Sequence, residues 1–217
     1  AEPDRMVVTL QDMSHAQKLQ NIDGLGVQMY FDETSYRTMF EALDKAILQS
    51  PRQHDLYINR ALARYNQDNL RGAMSDYDAA LELNNNSYVG HFNRALLRAQ
   101  VGDDNRAIED FNFVIEHEPD NYVAIYNRAL LLNNTGDYKG AIQDITVILP
   151  EYPNFWDGYS LRASIRRKLG DTNGAERDEF KVLKARMEGT LAGKKKSTSK
   201  TRKESDQNLE DYNKLVV

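Results

Sequence analysis

The sequence predicts an all-α fold, a solenoid of helix-turn-helix repeats. Three observations carry the prediction. Gly102-Asp103, Gly136-Asp137 and Gly170-Asp171 recur every 34 residues, with Asp68-Asn69 one interval earlier. In the frame this sets, repeats begin at His54, Tyr88, Tyr122 and Trp156. Position eight is then always alanine (Ala61, Ala95, Ala129, Ala163), and so is position twenty (Ala73, Ala107, Ala141, Ala175). Position 32 is Asn85, Pro119 and Pro153 in the first three. A period of this length marks a unit that cannot bury its apolar face alone and must stack on its copies.

Each element follows from that frame. The alanines let the two helices of a hairpin approach closely. The glycines suit the left-handed residue just past a helix end, and the prolines stop the second helix. A weaker copy begins at Gln20, with Tyr30, Ala46 and Pro51 in register. Gly26, Val27 and Thr34-Ser35 do not support its first helix, whereas Tyr36 to Gln49 reads as its second. At the other end Ala175 to Ala192 reads as one long helix, with Phe180, Leu183, Met187 and Leu191 in an apolar stripe. The division expected is a lead-in over 1–19, a partial repeat over 20–53, repeats over 54–87, 88–121 and 122–155, and a repeat with an extended final helix over 156–192. A basic linker over 193–206 and the start of a following segment over 207–217, a candidate for docking, complete it. In the lead-in, Met6 to Leu10 is β-prone, and Ser14 is placed to cap a helix running to about Gln20.

Composition narrows the function classes. The chain has 217 residues, 28% of them charged, and a mean hydropathy of -0.69. No apolar run reaches the ~18 residues of a membrane-spanning helix. There is no cysteine, which removes disulfides, thiolate metal sites and cysteine nucleophiles, and favours the cell envelope or periplasm over the cytoplasm. The start at Ala1 and the apolar finish at Val217 suggest a piece of a longer protein. His15, His54, His91 and His117 form no tight metal-binding pair. Glycine-rich phosphate loops and hydrolase motifs are missing. The expectation is therefore no catalytic residue, no metal, no cofactor and no enzyme. Residues 194–203 carry a charge of +6 on a chain of net charge -5. No aromatic side chains are interleaved there for base stacking, so no specific nucleic-acid partner is expected.

At the repeated residues quoted above the sequence resembles the tetratricopeptide repeat (TPR) family, over roughly residues 20–190. Runs such as Asn-Arg-Ala-Leu-Leu and Glu-Tyr-Pro-Asn-Phe-Trp are also similar to large, exported TPR proteins of gut anaerobes. The resemblance implies a right-handed α-solenoid whose first helices line a concave groove.

The seventh position, a leucine in most of that family, is Arg60, Arg94, Arg128 and Arg162 here. Sixteen residues later stand Asp76, Asp110, Asp144 and Asp178. In a helical hairpin the two positions can face each other, so four Arg–Asp bridges are expected. The leading copy has Gly26 and Ala42 at the two places and loses both partners together.

The resemblance assigns groove positions to Ile58, Leu62 and Tyr65, then Phe92 and Leu96, then Tyr126 and Leu130. A basic end follows at Arg167 and Lys168. Asn59, Asn93 and Asn127 match the asparagine of the family's carboxylate clamp. The clamp's lysines are replaced by Ile58, Val89, Phe92 and Val123, which argues against an acidic-tail ligand. The function expected is non-catalytic: a scaffold or adaptor that binds an extended peptide or partner helix in an apolar-centred groove, with Phe92 and Tyr126 as anchors. Self-association, or a regulatory region of a larger protein with a catalytic domain elsewhere, is the alternative.

Overall fold

The computed structural model describes residues 22–23, 26–27 and 33–192. The lead-in expected over 1–19, the basic linker and the segment over 207–217 lie outside these residues. Among the described residues the fold is all-α apart from one short ladder, a solenoid of helix-turn-helix repeats. The ladder pairs β1 (Ile22–Asp23) with β2 (Gly26–Val27) antiparallel, Ile22 opposite Val27. It occupies the stretch where the leading copy's first helix would lie. Helix α1 (Glu33–Gln49) follows.

Four hairpins come next. The first joins α2 (His54–Asn66) to α3 (Leu70–Leu83), and the second joins α4 (Tyr88–Gln100) to α5 (Asp104–His117). The third joins α6 (Tyr122–Thr135) to α7 (Tyr138–Glu151), and the fourth joins α8 (Trp156–Lys168) to α9 (Thr172–Ala192). The chain divides into two compact units, one ending at His117 and one beginning at Glu118.

The turns explain themselves chemically. Gly102, Gly136 and Gly170 take φ of 80°, 89° and 79°, and Asp68 takes 60° at the corresponding place. An L-residue with a Cβ is disfavoured there, and aspartate is among the few that tolerate it. The second helix then starts on a side-chain cap. Asn69, Asp137 and Asp171 each accept a hydrogen bond from the backbone N–H three residues on, at 3.0, 3.0 and 2.8 Å. Such a cap satisfies one of the orphan donors of a helix start. Ser87 and Asn121 do the same for α4 and α6. Pro119 and Pro153 each stand two residues past the end of a second helix.

In the first unit the core runs along the alanine seam. Ile58, Ala61, Ala73, Tyr77, Ala80 and Leu97 form one buried cluster. Phe111 is fully buried beside Phe92, their rings edge-on at 5.6 Å. In the second unit Ala129, Ala141, Ile145, Ile148, Ala163 and Ile165 are the fully or almost fully buried equivalents. Aliphatic contact at the alanines brings the helix axes close enough for the long polar side chains beside them to meet.

Candidate functional site

The polar seam comes first, because it fixes the orientation of each first helix. In every hairpin one arginine forks onto one buried aspartate. Arg60 donates to Asp76 from Nε at 2.9 Å and from Nη2 at 2.7 Å. Arg128 reaches Asp144 at 2.8 and 2.6 Å, and Arg162 reaches Asp178 at 2.8 and 2.7 Å. Arg94 forks onto Asp110 in the same way. The third nitrogen leaves the hairpin. Arg60 Nη1 donates to Asp44 on α1, Arg94 Nη1 to Asp78 on α3, and Arg162 Nη1 to Thr146 on α7. One side chain thus ties both helices of its own hairpin to the second helix of the hairpin before.

A second arginine, which the sequence reading missed, joins this seam one helical turn later. Arg64, Arg98 and Arg166 donate Nη1 to the same aspartates at 2.7, 2.7 and 2.8 Å. Each also donates to a first-turn carbonyl of the second helix, at Gly72, Arg106 and Gly174. The signal was available: arginine recurs at position eleven in three of four repeats, and Leu132 breaks the series. In the second hairpin His91 Nδ1 also donates to Asp110, at 2.7 Å. Burial pushes the Asp110 carboxyl up, but the hydrogen bonds from His91 and Arg94 and the nearby guanidinium charges hold it below the usual value. The hydrogen bonds it donates to Asp76 hold Arg60 above its ordinary value. These charges are matched at short range, so the seam presents no surplus charge to a ligand.

The proposed groove residues fall into three groups. Ile58 and Phe92 are buried, 4% and 3% exposed, and belong to the core. They face the second helix of their hairpin rather than a partner, which corrects the expectation that Phe92 anchors a ligand. The physical reason is that position five lies at the inner edge of the inferred face, where the Phe92 ring packs edge-on against Phe111. Leu62, Tyr65, Leu96, Tyr126 and Leu130 are half-buried. Leu62 and Tyr65 pack against the core cluster along one edge. Tyr126 meets Phe155 edge-on at 4.8 Å, and burial followed by the charge of Asp157 pushes its hydroxyl up to about 12.

The basic end forms the third group, and both of its cations have partners inside the chain. Arg167 forks onto Glu179 at 2.8 and 2.6 Å. Lys168 Nζ donates to Asn133 at 2.9 Å and sits 4.9 Å from the Tyr138 ring centroid.

The three asparagines are buried in their first helices. Asn127 donates its amide to the Val123 carbonyl one turn back, at 2.9 Å. Asn93 differs. It is 7% exposed, and among the described residues its side chain has no hydrogen-bond partner. On α4 it shares a face with Val89 four residues before and Leu96 three residues after. Val89 is exposed and Leu96 half-buried, so an unsatisfied amide is flanked by two apolar side chains that reach solvent.

Among the described residues no group of three or more histidine, aspartate or glutamate side chains is arranged to hold a metal ion, and no helix is long and apolar enough to cross a membrane.

No protein-family model and no curated protein matches this chain. Solved structures do. A crystal structure of MamA superposes with a TM-score of 0.64 at 15% sequence identity, over 75% of this chain and 99% of that one. MamA from residue 41 to its end, from Desulfovibrio magneticus RS-1, gives a TM-score of 0.64 at 14% identity, over 71% of this chain and 87% of that one. The RS-1 ArsTM double mutant of MamA gives 0.65 at 14% identity, over 72% and 86%. At this identity the likeness concerns the fold, an all-α helical-repeat solenoid.

Proposed function

We propose that the chain is a non-catalytic protein-interaction module of the TPR type, and that the outward face of α4 binds an extended peptide. The observation that carries this reading is Asn93. A buried amide without a partner costs about 1–3 kcal/mol relative to one that is paired. The cost is recovered when a ligand brings a donor and an acceptor to it, and a peptide backbone carries both at every residue. Val89 and Leu96 on either side then receive apolar side chains of the ligand. Within the second unit Tyr126 and Leu130 offer a comparable half-buried apolar surface. Asn127 is committed there to its own helix, so that surface contributes packing rather than backbone recognition. Ion pairing supplies little, since Arg167 and Lys168 are already engaged.

The test selects peptides from a randomised displayed library on the whole chain and measures their binding to Asn93→Ala and Leu96→Asp by calorimetry. Both changes are expected to weaken binding at least about tenfold, the loss of one well-placed contact. The Asn93→Ala melting temperature should match or exceed that of the parent, because the change removes an unsatisfied group. Unchanged affinity in both variants, or a lowered melting temperature in Asn93→Ala with affinity intact, would assign Asn93 to structure and sink the reading.

A further inference from the structure

The outer face of α9 differs from the corresponding face of every second helix that another hairpin follows within its unit. At position 25 of the repeat frame those helices present oxygen to the next arginine: Asp44 to Arg60, Asp78 to Arg94 and Thr146 to Arg162. One repeat on, α9 presents Phe180, 65% exposed. At position 28 Leu81 and Leu149 are buried by the helix that follows. Leu81 Cδ2 lies 2.9 Å from where a Cβ on Gly90 would stand, and Leu149 Cδ2 lies 3.2 Å from the same point on Gly158. Leu183 is their equivalent and is 54% exposed. Helix α9 also runs past the point where α3 and α7 end, and Met187, 58% exposed, sits on that overhang. The three side chains lie at i, i+3 and i+7, one apolar stripe. It is left uncovered among the described residues, and where the other second helices offer an oxygen to the next arginine Phe180 offers none.

We propose that residues 207–217 of this chain fold back as a helix over the Phe180–Met187 face of α9. Leu209, Tyr212, Leu215 and Val216 recur at steps of three and four, the spacing that places them on one helical face. That segment carries no arginine and one lysine, Lys214. The chain length suffices. The 14 residues over 193–206 reach up to about 46 Å when extended, while the return from Ala192 to Phe180 is about 18 Å along the helix. Charge agrees as well. Residues 207–217 carry -1, and the exposed side chains of α9 from Glu176 to Glu188 carry a net +1. A second copy is a poorer occupant. An antiparallel pairing of two α9 helices that sets Phe180 on Met187 also sets Glu179 against Glu188 and Lys181 against Arg186, like charge on like.

Hydrogen exchange on the whole chain tests this. The double variant Phe180→Asp, Met187→Asp alters exposed positions only, and its melting curve checks that the hairpins stay folded. Peptides from 207–217 should exchange about tenfold more slowly in the parent than in this variant. In the tail variant Leu209→Asp, Tyr212→Asp, the oxidation of Met187 by dilute peroxide should accelerate. Equal exchange in parent and double variant, or a Met187 oxidation rate that ignores the tail, overturns the proposal. So does protection that rises with protein concentration while light scattering reports a dimer, which would assign the face to a second copy.

Discussion

Arg94 holds Asp110 at two points, Nε to Oδ2 at 3.0 Å and Nη2 to Oδ1 at 2.8 Å, from the facing helix of the same hairpin. Asp110 is almost fully buried, yet it keeps Arg98 and His91 as further donors. Asp144 in the third hairpin is served by Arg128 with no second arginine, because Leu132 stands where Arg98 stands in the second. Its Cδ1 lies 3.2 Å from the Cβ direction of Gly140, filling the space an arginine would cross. Removing the fork should therefore cost more in the third hairpin. Arg128→Met is expected to destabilise by about 3–5 kcal/mol, the figure for a buried charge left alone. Arg94→Met should cost less, since two donors remain. Urea melts of the two variants check the order, and equal losses would refute it. Adding Leu132→Arg to Arg128→Met should recover part of the loss by restoring a donor to Asp144.

Acid should weaken the same seam. Asp110 titrates below its ordinary 3.8, because its hydrogen bonds and the adjacent guanidinium charges outweigh its burial. A folded value under the unfolded one means that the unfolded chain takes up the proton first as pH falls. The stabilisation is then fully present above about pH 4 and is lost as pH drops through the folded value. Thermal melts between pH 7 and pH 2 should show the parent losing stability below pH 4. Asp110→Asn should be less stable at pH 7 and flatter below pH 4. Parallel curves for the two proteins would remove Asp110 from the acid response.

Much of the fold was legible because its physics is periodic. A glycine able to take φ near 80° is required once per turn, and an alanine wherever two helices nearly touch, so both requirements print themselves on the sequence every 34 residues. The pairing of position seven with position 23 was readable because arginine and aspartate covary within the chain, down to their joint loss at Gly26 and Ala42. Position eleven escaped because arginine on a helix face is so often only a solvated charge, and its carbonyl and carboxylate partners lie on the other helix. The groove was harder for a different reason. Phe92 stands at the edge of the inferred face, and a short amphipathic helix with alanine at its centre does not fix whether such a ring turns to solvent or to the core. The tertiary packing of Phe92 on Phe111 fixes it. In the leading copy Gly26 and Val27 stand at the close-packed positions of a first helix and leave little for it to pack with, and a short ladder is found at that stretch.

Phe92 and Val89 can be separated by truncation. Phe92 is almost fully buried and edge-on to Phe111, so Phe92→Ala should cost about 3–5 kcal/mol, transfer free energy plus a cavity. Val89 is exposed on the next turn, and Val89→Ala should stay within about 0.5 kcal/mol. Denaturant melts distinguish them directly. A mild Phe92→Ala would return that ring to the ligand face and reopen its role as an anchor. A severe one disqualifies it as a probe of binding, because loss of capture would then report loss of fold.

Asp68 and Gly136 hold the same corner of two hairpins, with φ of 60° and 89°. An L-residue held in that region costs roughly 1–2 kcal/mol, less for aspartate than for most. No heavy atom lies within 4 Å of the place where a Cβ on Gly136 would stand, so substitution there is opposed by backbone strain and not by crowding. Gly136→Ala should lower stability by about 1 kcal/mol. Asp68→Gly runs the other way on strain but frees the unfolded chain, which offsets part of the gain, so its expected effect is a stabilisation of under about 1 kcal/mol. The charge of Asp68 enters as well, since Tyr65 nearby is held above its usual value by burial and then by Asp68. Asp68→Asn separates the two contributions by keeping the conformational tolerance and removing the charge. If Asp68→Gly proves destabilising while Asp68→Asn is neutral, the left-handed corner is not strained in this hairpin, and the glycines at 102, 136 and 170 owe their place to something other than φ.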